Sequence, residues 1–167
     1  MTIAGTEHTR FPNYAREVRT HFNGTEGIHW LGQVAEDNVM DLFRRAQIVV
    51  LPYMASTGSS SVLYQAATWG RTVVVSDLKE VRELAHESNL LLEFFKNGDV
   101  QSLCQSLRVL LNSPEKRRIQ ARYNFKSIQQ ARPEVTCRKY IEVFNYALRK
   151  RGSENSIRMP STTLETG

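Results

Sequence analysis

A run of small polar residues in the middle of the chain is the strongest candidate for a functional site: Thr57, Gly58, Ser59, Ser60 and Ser61. An unbroken apolar run precedes it at residues 48–51, and a short amphipathic segment follows it at residues 62–69. If these segments are a strand and a helix, the loop lies where α/β proteins bind ligands. Gly58 would let a ligand approach the backbone, and the unpaired amides at the start of the helix would attract an anion. The loop therefore predicts a site for a phosphate-bearing ligand.

Other chemistries receive little support from the sequence. The same loop also suits an ordinary turn and helix N-cap, and no Gly-x-Ser-x-Gly sequence marks a nucleophilic serine. The four histidines show no metal-ligand spacing, and the two cysteines, Cys104 and Cys137, lie within helical patterns. We therefore expect no metal site, no cofactor, and two buried thiols in a reducing compartment.

The segments around the polar loop indicate a βαβ unit. Residues 48–51 and 72–75 are continuous apolar or β-branched runs, which are typical of strands buried on both faces of a parallel sheet. Along the whole chain, strand-like and helix-like segments alternate in the order β-α-β-α-β-α-β-α-β, and three helices follow. This order predicts an α/β fold: a Rossmann-like, mostly parallel sheet with helices on both faces and additional C-terminal helices.

The chain length suits one domain. We expect a single lobe over residues 1–151 and a flexible tail over residues 152–167, which are polar and aperiodic. The first strand begins within the first three residues, so we expect the chain to be part of a larger protein. No apolar run approaches the roughly 20 residues that cross a bilayer, and the amino end has no signal-peptide pattern. We expect a cytoplasmic location.

Positive charge is concentrated in the last third of the chain. The net charge is +5, and residues 115–151 hold eleven Lys or Arg against three Glu. This stretch suits a solvated helical face, and it also suits attraction to an anionic membrane surface or a phosphorylated acceptor. No interleaved aromatic and basic motif accompanies the charge, so we expect no nucleic-acid partner. A peripheral membrane contact through the basic C-terminal helices is compatible with the pattern.

Several segments resemble, in order, the carboxyl-terminal lobe of group 1 glycosyltransferases of the GT-B fold. Residues 28–34 (IHWLGQV) and 41–53 (DLFRRAQIVVLPY) are similar to that lobe's Leu-Gly strand, helix and Leu-Pro strand. Residues 70–77 (GRTVVVSD) resemble its Gly-x-Pro-Val-Val-x-Ser strand, and residues 97–99 (NGD) resemble the Gly-Asp before its late helix. The resemblance covers roughly residues 2–150.

The resemblance implies a donor-binding lobe that holds a nucleotide-diphosphate sugar, with residues 57–61 at the diphosphate or sugar. It also implies that Trp30, Leu31 and Gly32 form a shelf for the base, although Trp30 fits a core position equally well. The family's two glutamates, eight positions apart, fall on Thr57 and Gln65, and neither is acidic here. Gln65 can still hydrogen-bond a ribose, without the charge-assisted bond of a carboxylate.

The resemblance also implies what the chain lacks. The Arg and Lys that grip the diphosphate in the family lie in or just after the first strand of this lobe, and that segment would precede Met1. The acceptor lobe would precede it as well, so we expect this lobe alone to be inactive. The whole enzyme would be a hexosyltransferase, commonly of polysaccharide biosynthesis, that transfers a sugar from a nucleotide-diphosphate sugar to a glycan or lipid-linked acceptor. The alternatives are a non-catalytic α/β binding module with a degenerate site, or another nucleotide-sugar enzyme such as an epimerase.

Overall fold

The computed structural model describes residues 1–7, 11–55, 60–130 and 133–150. The predicted tail, residues 152–167, lies outside this range, and so do Thr57, Gly58 and Ser59 of the polar loop. The tail therefore stays a prediction.

Strands and helices alternate in the predicted order across the described residues. The strands are β1 (Thr2–Ala4), β2 (His29–Gly32), β3 (Ile48–Leu51), β4 (Thr72–Ser76) and β5 (Glu93–Phe95). The helices are α1 (Tyr14–His21), α2 (Glu36–Arg45), α3 (Ser61–Thr68), α4 (Lys79–Glu87), α5 (Val100–Leu111), α6 (Pro114–Gln129) and α7 (Pro133–Lys150). The predicted alternation, followed by three consecutive helices, is confirmed.

Local signals explain where two of the late helices begin. Asp99 caps α5, because its Oδ1 accepts a hydrogen bond from Ser102 N at 2.9 Å. Ser113 caps α6 in the same way, with Lys116 N as the donor at 3.3 Å. Pro114 occupies the first turn of α6, where its missing N–H breaks no intrahelical bond. Both predicted helix starts are confirmed.

The strands pair in two parallel groups. β1 pairs with β2, while β3, β4 and β5 pair in that order. Within the described residues, no pairing joins β1 or β2 to β3. The predicted α/β fold with parallel strands is confirmed, and the division into two groups is a feature that the sequence analysis did not predict.

β4 lies at the centre of the buried core. All of its residues are buried, because β3 and β5 pair with its two edges and helices cover both of its faces. Val73 and Val75 pack in the cluster formed with α3 and α4, which includes Leu63. Val74 points the other way and packs against Leu110 of α5. Helices therefore cover this part of the sheet on both faces, as predicted.

β3 is less buried than its sequence predicts. Its apolar run predicts burial on both faces, but only Leu51 is buried, and Val50 is 36% exposed. β3 pairs with β4 on one edge, and among the described residues no strand pairs with its other edge. The prediction of full burial is wrong for β3 and confirmed for β4.

Two polar side chains lie on the buried face of α6, together with Ile128. Gln120 and Asn124 lie one turn apart, and both are buried. Gln120 Oε1 accepts a hydrogen bond from Val73 N at 2.9 Å. Asn124 pairs with the backbone of Leu91, accepting from Leu91 N at 2.7 Å and donating to Leu91 O at 2.9 Å. Side-chain hydrogen bonds to backbone therefore attach α6 to the sheet.

The two cysteines are exposed, so the prediction of buried thiols is wrong. On α5 the inward positions are taken by Leu103, Ser106 and Leu110, which leaves Cys104 on the outer side. No described residue of α7 is buried, and Cys137 is exposed. Within the described residues, no helix is long and apolar enough to cross a membrane.

Candidate functional site

The carboxyl ends of β3, β4 and β5 meet at one edge of the sheet, because the three strands are parallel. Hydrogen bonds hold the loops at this edge together. Asp77 N, just after β4, donates to Phe95 O of β5 at 2.8 Å. Asn97, just after β5, donates through Nδ2 to the carbonyl oxygen of Met54, just after β3, at 3.2 Å. The loops that follow the three strands thus form one connected surface.

Ser60 links the two ends of the polar loop. It is the N-cap of α3, and its Oγ accepts a hydrogen bond from Leu63 N at 3.2 Å. The same Oγ lies 2.9 Å from the hydroxyl of Tyr53, which follows β3. This contact joins the segment that follows β3 to the start of α3. The side chain of Ser60 therefore serves as a helix cap, one of the two interpretations that the sequence allowed.

The first turn of α3 presents backbone amides that the helix itself does not use. The N–H groups of Ser61 and Val62 lie in the first turn and have no acceptor within the helix. Both residues are exposed. Gln65 lies one turn after Ser61, on the same side of the helix, and is also exposed. Its side chain makes no hydrogen bond to the part of the chain that the structure describes. A ligand at this end would meet two amides, a hydroxyl and a carboxamide.

Three predicted contact residues, Thr57, Gly58 and Ser59, fall outside the described residues. Their predicted contacts with a diphosphate or a sugar stay predictions. The described residues Tyr53 and Ser60, which flank this segment, hydrogen-bond each other at 2.9 Å.

Trp30, Leu31 and Gly32 lie at the carboxyl end of β2. Trp30 is half-buried and belongs to neither described hydrophobic cluster, and Leu31 is 51% exposed. Gly32 has a φ of +64°, which favours glycine, and its carbonyl oxygen accepts a hydrogen bond from Gly5 N at 2.7 Å. These residues belong to the β1–β2 group, whereas α3 follows β3. The two halves of the predicted site therefore lie on separate strand groups.

An ion pair at the end of β4 was not foreseen from the sequence. Arg82 donates hydrogen bonds to both carboxylate oxygens of Asp77, and its Nη2 lies 2.7 Å from Asp77 Oδ2. Arg82 also lies over the ring of Phe94, 4.5 Å from its centroid. These hydrogen bonds, and the positive charge of Arg82, lower the pKa of Asp77 below its ordinary value. Asp77 and Arg82 are five residues apart, a spacing that matches no helical pair pattern, so the sequence did not predict this ion pair.

Two buried polar atoms at the same edge have no hydrogen-bond partner among the described residues: Ser76 Oγ at the end of β4 and Asn97 Oδ1 after β5. Buried polar atoms without partners are uncommon, and a bound ligand is one source of the missing partner. In the sequence, Asn97 belongs to the NGD segment that resembles the Gly-Asp before the family's late helix, and Ser76 had no predicted role.

Within the described part of the chain, no group of three His, Cys, Asp or Glu residues could hold a metal ion. The expectation of a site without metal or cofactor stays a prediction.

Comparison with known proteins gave one family and several similar structures. The profile of the family described as "Glycosyl transferases group 1" matches residues 1–113. A comparison with curated protein sequences found no significant match. Among solved structures, Anabaena HepE in complex with UDP superposes with a TM-score of 0.72 at 18% identity, over 88% of this chain and 40% of that one.

Two further structures resemble the chain in the same way. HepE in complex with UDP-glucose gives a TM-score of 0.71 at 19% identity, over 88% of this chain and 40% of that one. Sucrose-phosphate synthase from Thermosynechococcus elongatus gives 0.69 at 14% identity, over 89% of this chain and 38% of that one. At these identities the likeness concerns the fold, and it confirms the predicted Rossmann-like architecture. The chain spans about 40% of the length of the HepE structures.

Proposed function

This chain belongs to the group 1 glycosyltransferases, and from that membership we propose that it is the donor-binding lobe of an enzyme that uses a nucleotide-diphosphate sugar. The observation that carries the proposal is the amino end of α3. It follows the loop from β3, and its first two residues, Ser61 and Val62, are exposed and have amides that no intrahelical hydrogen bond uses. Amides at a helix start, together with the helix dipole, suit the diphosphate of such a donor.

Gln65 is the proposed ribose contact. It lies one turn from Ser61 and is exposed on the same side of α3, so a ligand anchored at the helix start can reach it. Its carboxamide offers both a donor and an acceptor to the ribose hydroxyls. A neutral hydrogen bond contributes about 1 kcal/mol, and a bond to a charged group about 1.5–3 kcal/mol. A glutamate at this position would therefore hold the ribose more strongly.

The transferred group is a hexose in this proposal, and the acceptor is a glycan or a lipid-linked glycan. Two observations support it. HepE, which shares the fold, has been solved in complex with UDP and with UDP-glucose. The stretch of residues 115–151, with eleven Lys or Arg against three Glu, suits a phosphorylated or membrane-bound acceptor.

Calorimetric titration with UDP, GDP and ADP tests the donor site. We expect one nucleotide to bind in the high-micromolar to millimolar range, about −4 to −6 kcal/mol. Gln65→Ala should weaken binding about fivefold, and Gln65→Glu should restore or tighten it. The 2′-deoxy nucleotide should bind the native chain less tightly than the ribonucleotide. It should bind Gln65→Ala as tightly as the ribonucleotide does.

The matched control is Gln105→Ala, which removes another exposed helical glutamine, on α5. It should leave nucleotide binding unchanged. Equal binding of ribo- and deoxyribonucleotide to the native chain would show that Gln65 does not contact the ribose. Absence of binding by all three nucleotides at millimolar concentration would contradict the donor-lobe proposal itself.

A further inference from the structure

Helix α6 carries several cationic side chains, and the structure divides them into two groups. The helix contains five Lys or Arg residues and a single acidic residue. Lys116 Nζ lies 2.7 Å from Glu93 Oε2 of β5. Arg117 Nη1 donates a hydrogen bond to the carbonyl oxygen of Leu111, the last residue of α5, at 2.9 Å. These two cations therefore have partners within the protein and help to hold α6 in place.

The other three cations, Arg118, Arg122 and Lys126, form a basic row on the outer side of α6. They follow each other at intervals of four residues, so they lie along one side of the helix, and all three are exposed. Arg118 pairs with Glu115 at 2.7 Å, in an exposed contact of the kind that contributes little to stability. Arg122 and Lys126 make no ion pair with the part of the chain that the structure describes. The basic row therefore presents positive charge to the surroundings of the protein.

Two exposed apolar side chains flank the basic row. Ile119 lies three residues before Arg122 and Phe125 lies three residues after it, which places one of them on each side of Arg122. Ile119 is 54% exposed and Phe125 is 44% exposed, although both side chains gain free energy by leaving water. Hydrogen bonds of Gln120 and Asn124 fix the opposite side of α6 against the sheet, so the helix cannot turn these two apolar side chains inward. The outer side of α6 thus combines positive charge with apolar surface.

We propose that the outer side of α6 binds the surface of a membrane that contains anionic lipids. The cations of the basic row meet the negatively charged headgroups, and Ile119 and Phe125 enter the boundary between headgroups and acyl chains. The basic row extends over eight residues of helix, about 12 Å, so its three cations can contact one flat surface at the same time. A soluble polyanion would satisfy the charge of the basic row but would leave the two apolar side chains in water.

The position of α6 keeps this membrane surface apart from the candidate functional site. Gln120 and Asn124 attach the helix near the amino ends of β4 and β5, at Val73 and Leu91. The candidate site lies at the carboxyl ends of the same parallel strands. A membrane on α6 therefore leaves the candidate site open to nucleotide sugars in solution. Membrane binding requires only the outer side of α6, so it holds or fails independently of the proposed donor site.

Co-sedimentation with lipid vesicles tests the proposal. The 167-residue chain is mixed, at a salt concentration of about 0.15 M, with vesicles of phosphatidylcholine alone or of phosphatidylcholine and phosphatidylserine. The α6 charge variant combines Arg122→Gln with Lys126→Gln and removes the two cations that have no ion pair. The matched control combines Arg19→Gln with Arg45→Gln, which removes two exposed cations of α1 and α2 and gives the same net charge.

The native chain should bind vesicles that contain phosphatidylserine and should not bind vesicles of phosphatidylcholine alone. Each cation near an anionic membrane strengthens binding about fivefold, so the α6 charge variant should bind about 25-fold more weakly than the native chain. The control should bind within about twofold of the native chain, because salt screens charges that lie far from the membrane. Raising the salt concentration to about 1 M should release the native chain from the vesicles. UDP binding and the thermal midpoint should be the same in the α6 charge variant and the native chain.

A second variant, Ile119→Ser with Phe125→Ser, distinguishes a membrane from a soluble polyanion. It should weaken vesicle binding severalfold and leave the binding of inositol hexakisphosphate unchanged. Vesicle binding that is absent in the native chain, or that does not depend on phosphatidylserine, would overturn the proposal. An equal loss of vesicle binding in the α6 charge variant and the control would overturn it as well. If the second variant bound vesicles as tightly as the native chain, the basic row would belong to a soluble polyanion or an acidic protein, and the membrane proposal would be wrong.

Discussion

The hydroxyl of Ser60 has two partners within the protein, Leu63 N at 3.2 Å and the Tyr53 hydroxyl at 2.9 Å. A serine hydroxyl has one donor and two acceptor positions, so little capacity remains for a ligand. Ser61, the next residue, is exposed and starts α3. The proposed ligand contact therefore belongs to Ser61 and to the backbone of the first helical turn, while Ser60 positions the loop.

Asp77 makes stability depend on pH. Hydrogen bonds from Arg82 lower the pKa of Asp77 in the folded protein below the value of about 3.9 that it has when unfolded. A lowered folded pKa means that this stabilisation is complete above about pH 4 and declines as the pH falls through the folded pKa. The difference in unfolding free energy between the native chain and Asp77→Asn should be constant from pH 5 to 8 and shrink below about pH 4.

Urea unfolding at a series of pH values measures this difference. The matched control is Asp41→Asn, because Asp41 lies 3.8 Å from Arg44 in an exposed pair without bidentate bonds. The control should change stability less than Asp77→Asn at neutral pH. A difference for Asp77→Asn that stays the same down to pH 2 would show that the Arg82 hydrogen bonds do not stabilise the folded protein in solution.

At the scale of elements, α6 is attached to the sheet by side-chain hydrogen bonds that its sequence does not predict. Asn124 is fully buried and satisfies both backbone groups of Leu91, at 2.7 and 2.9 Å. Asn124→Ala would leave an N–H and a C=O without partners in a partly buried place. Each such group costs about 1–3 kcal/mol, and because Leu91 is partly exposed we expect a loss in the lower part of the summed range, about 2–4 kcal/mol, in urea unfolding.

The control for this prediction is Asn38→Ala on α2, where the asparagine is exposed. It should change stability by less than about 0.5 kcal/mol. If Asn124→Ala proved as mild as the control, water would be replacing the side chain at Leu91, and α6 would depend on its apolar contacts instead.

At the scale of the whole molecule, the chain spans about 40% of the length of the HepE structures. Transfer requires donor and acceptor at reacting distance in a cleft that excludes water. By the family resemblance, the acceptor site belongs to another lobe. We therefore expect the isolated chain to bind nucleotide and to form no glycosylated product.

The assay combines the chain with nucleotide sugars and a panel of phosphorylated and lipid-linked glycan acceptors, and product is detected by mass spectrometry. Nucleotide binding in the same buffer is the control that the site is intact. Sustained turnover by this chain alone would refute the expectation that the donor-binding lobe is inactive without an acceptor lobe, and would leave the family assignment in place. Binding without turnover, both here and in a longer polypeptide that includes the acceptor lobe, would favour the non-catalytic alternative.

Two strands and one helix show which structural features could be predicted from the sequence. The apolar run at 72–75 predicts a fully buried strand, and β4 is one. The equally apolar run at 48–51 makes the same prediction, and β3 keeps Val50 exposed. The two sequences differ little, but among the described strands β4 has partners on both edges and β3 has a partner on one. Exposure of Cys104 has a similar origin, because Leu103, Ser106 and Leu110 of α5 face the sheet instead.

The sequence alone determined the order of the elements, two helix starts at Asp99 and Ser113, and the resemblance to the family. These depend on interactions between residues a few positions apart, which a local pattern records. Tertiary structure alone decided the pairing of Asn124 with Leu91, the ion pair of Asp77 with Arg82, and the two strand groups. Each of these depends on which other segment lies against a given surface, and residue spacing along the chain does not carry that information.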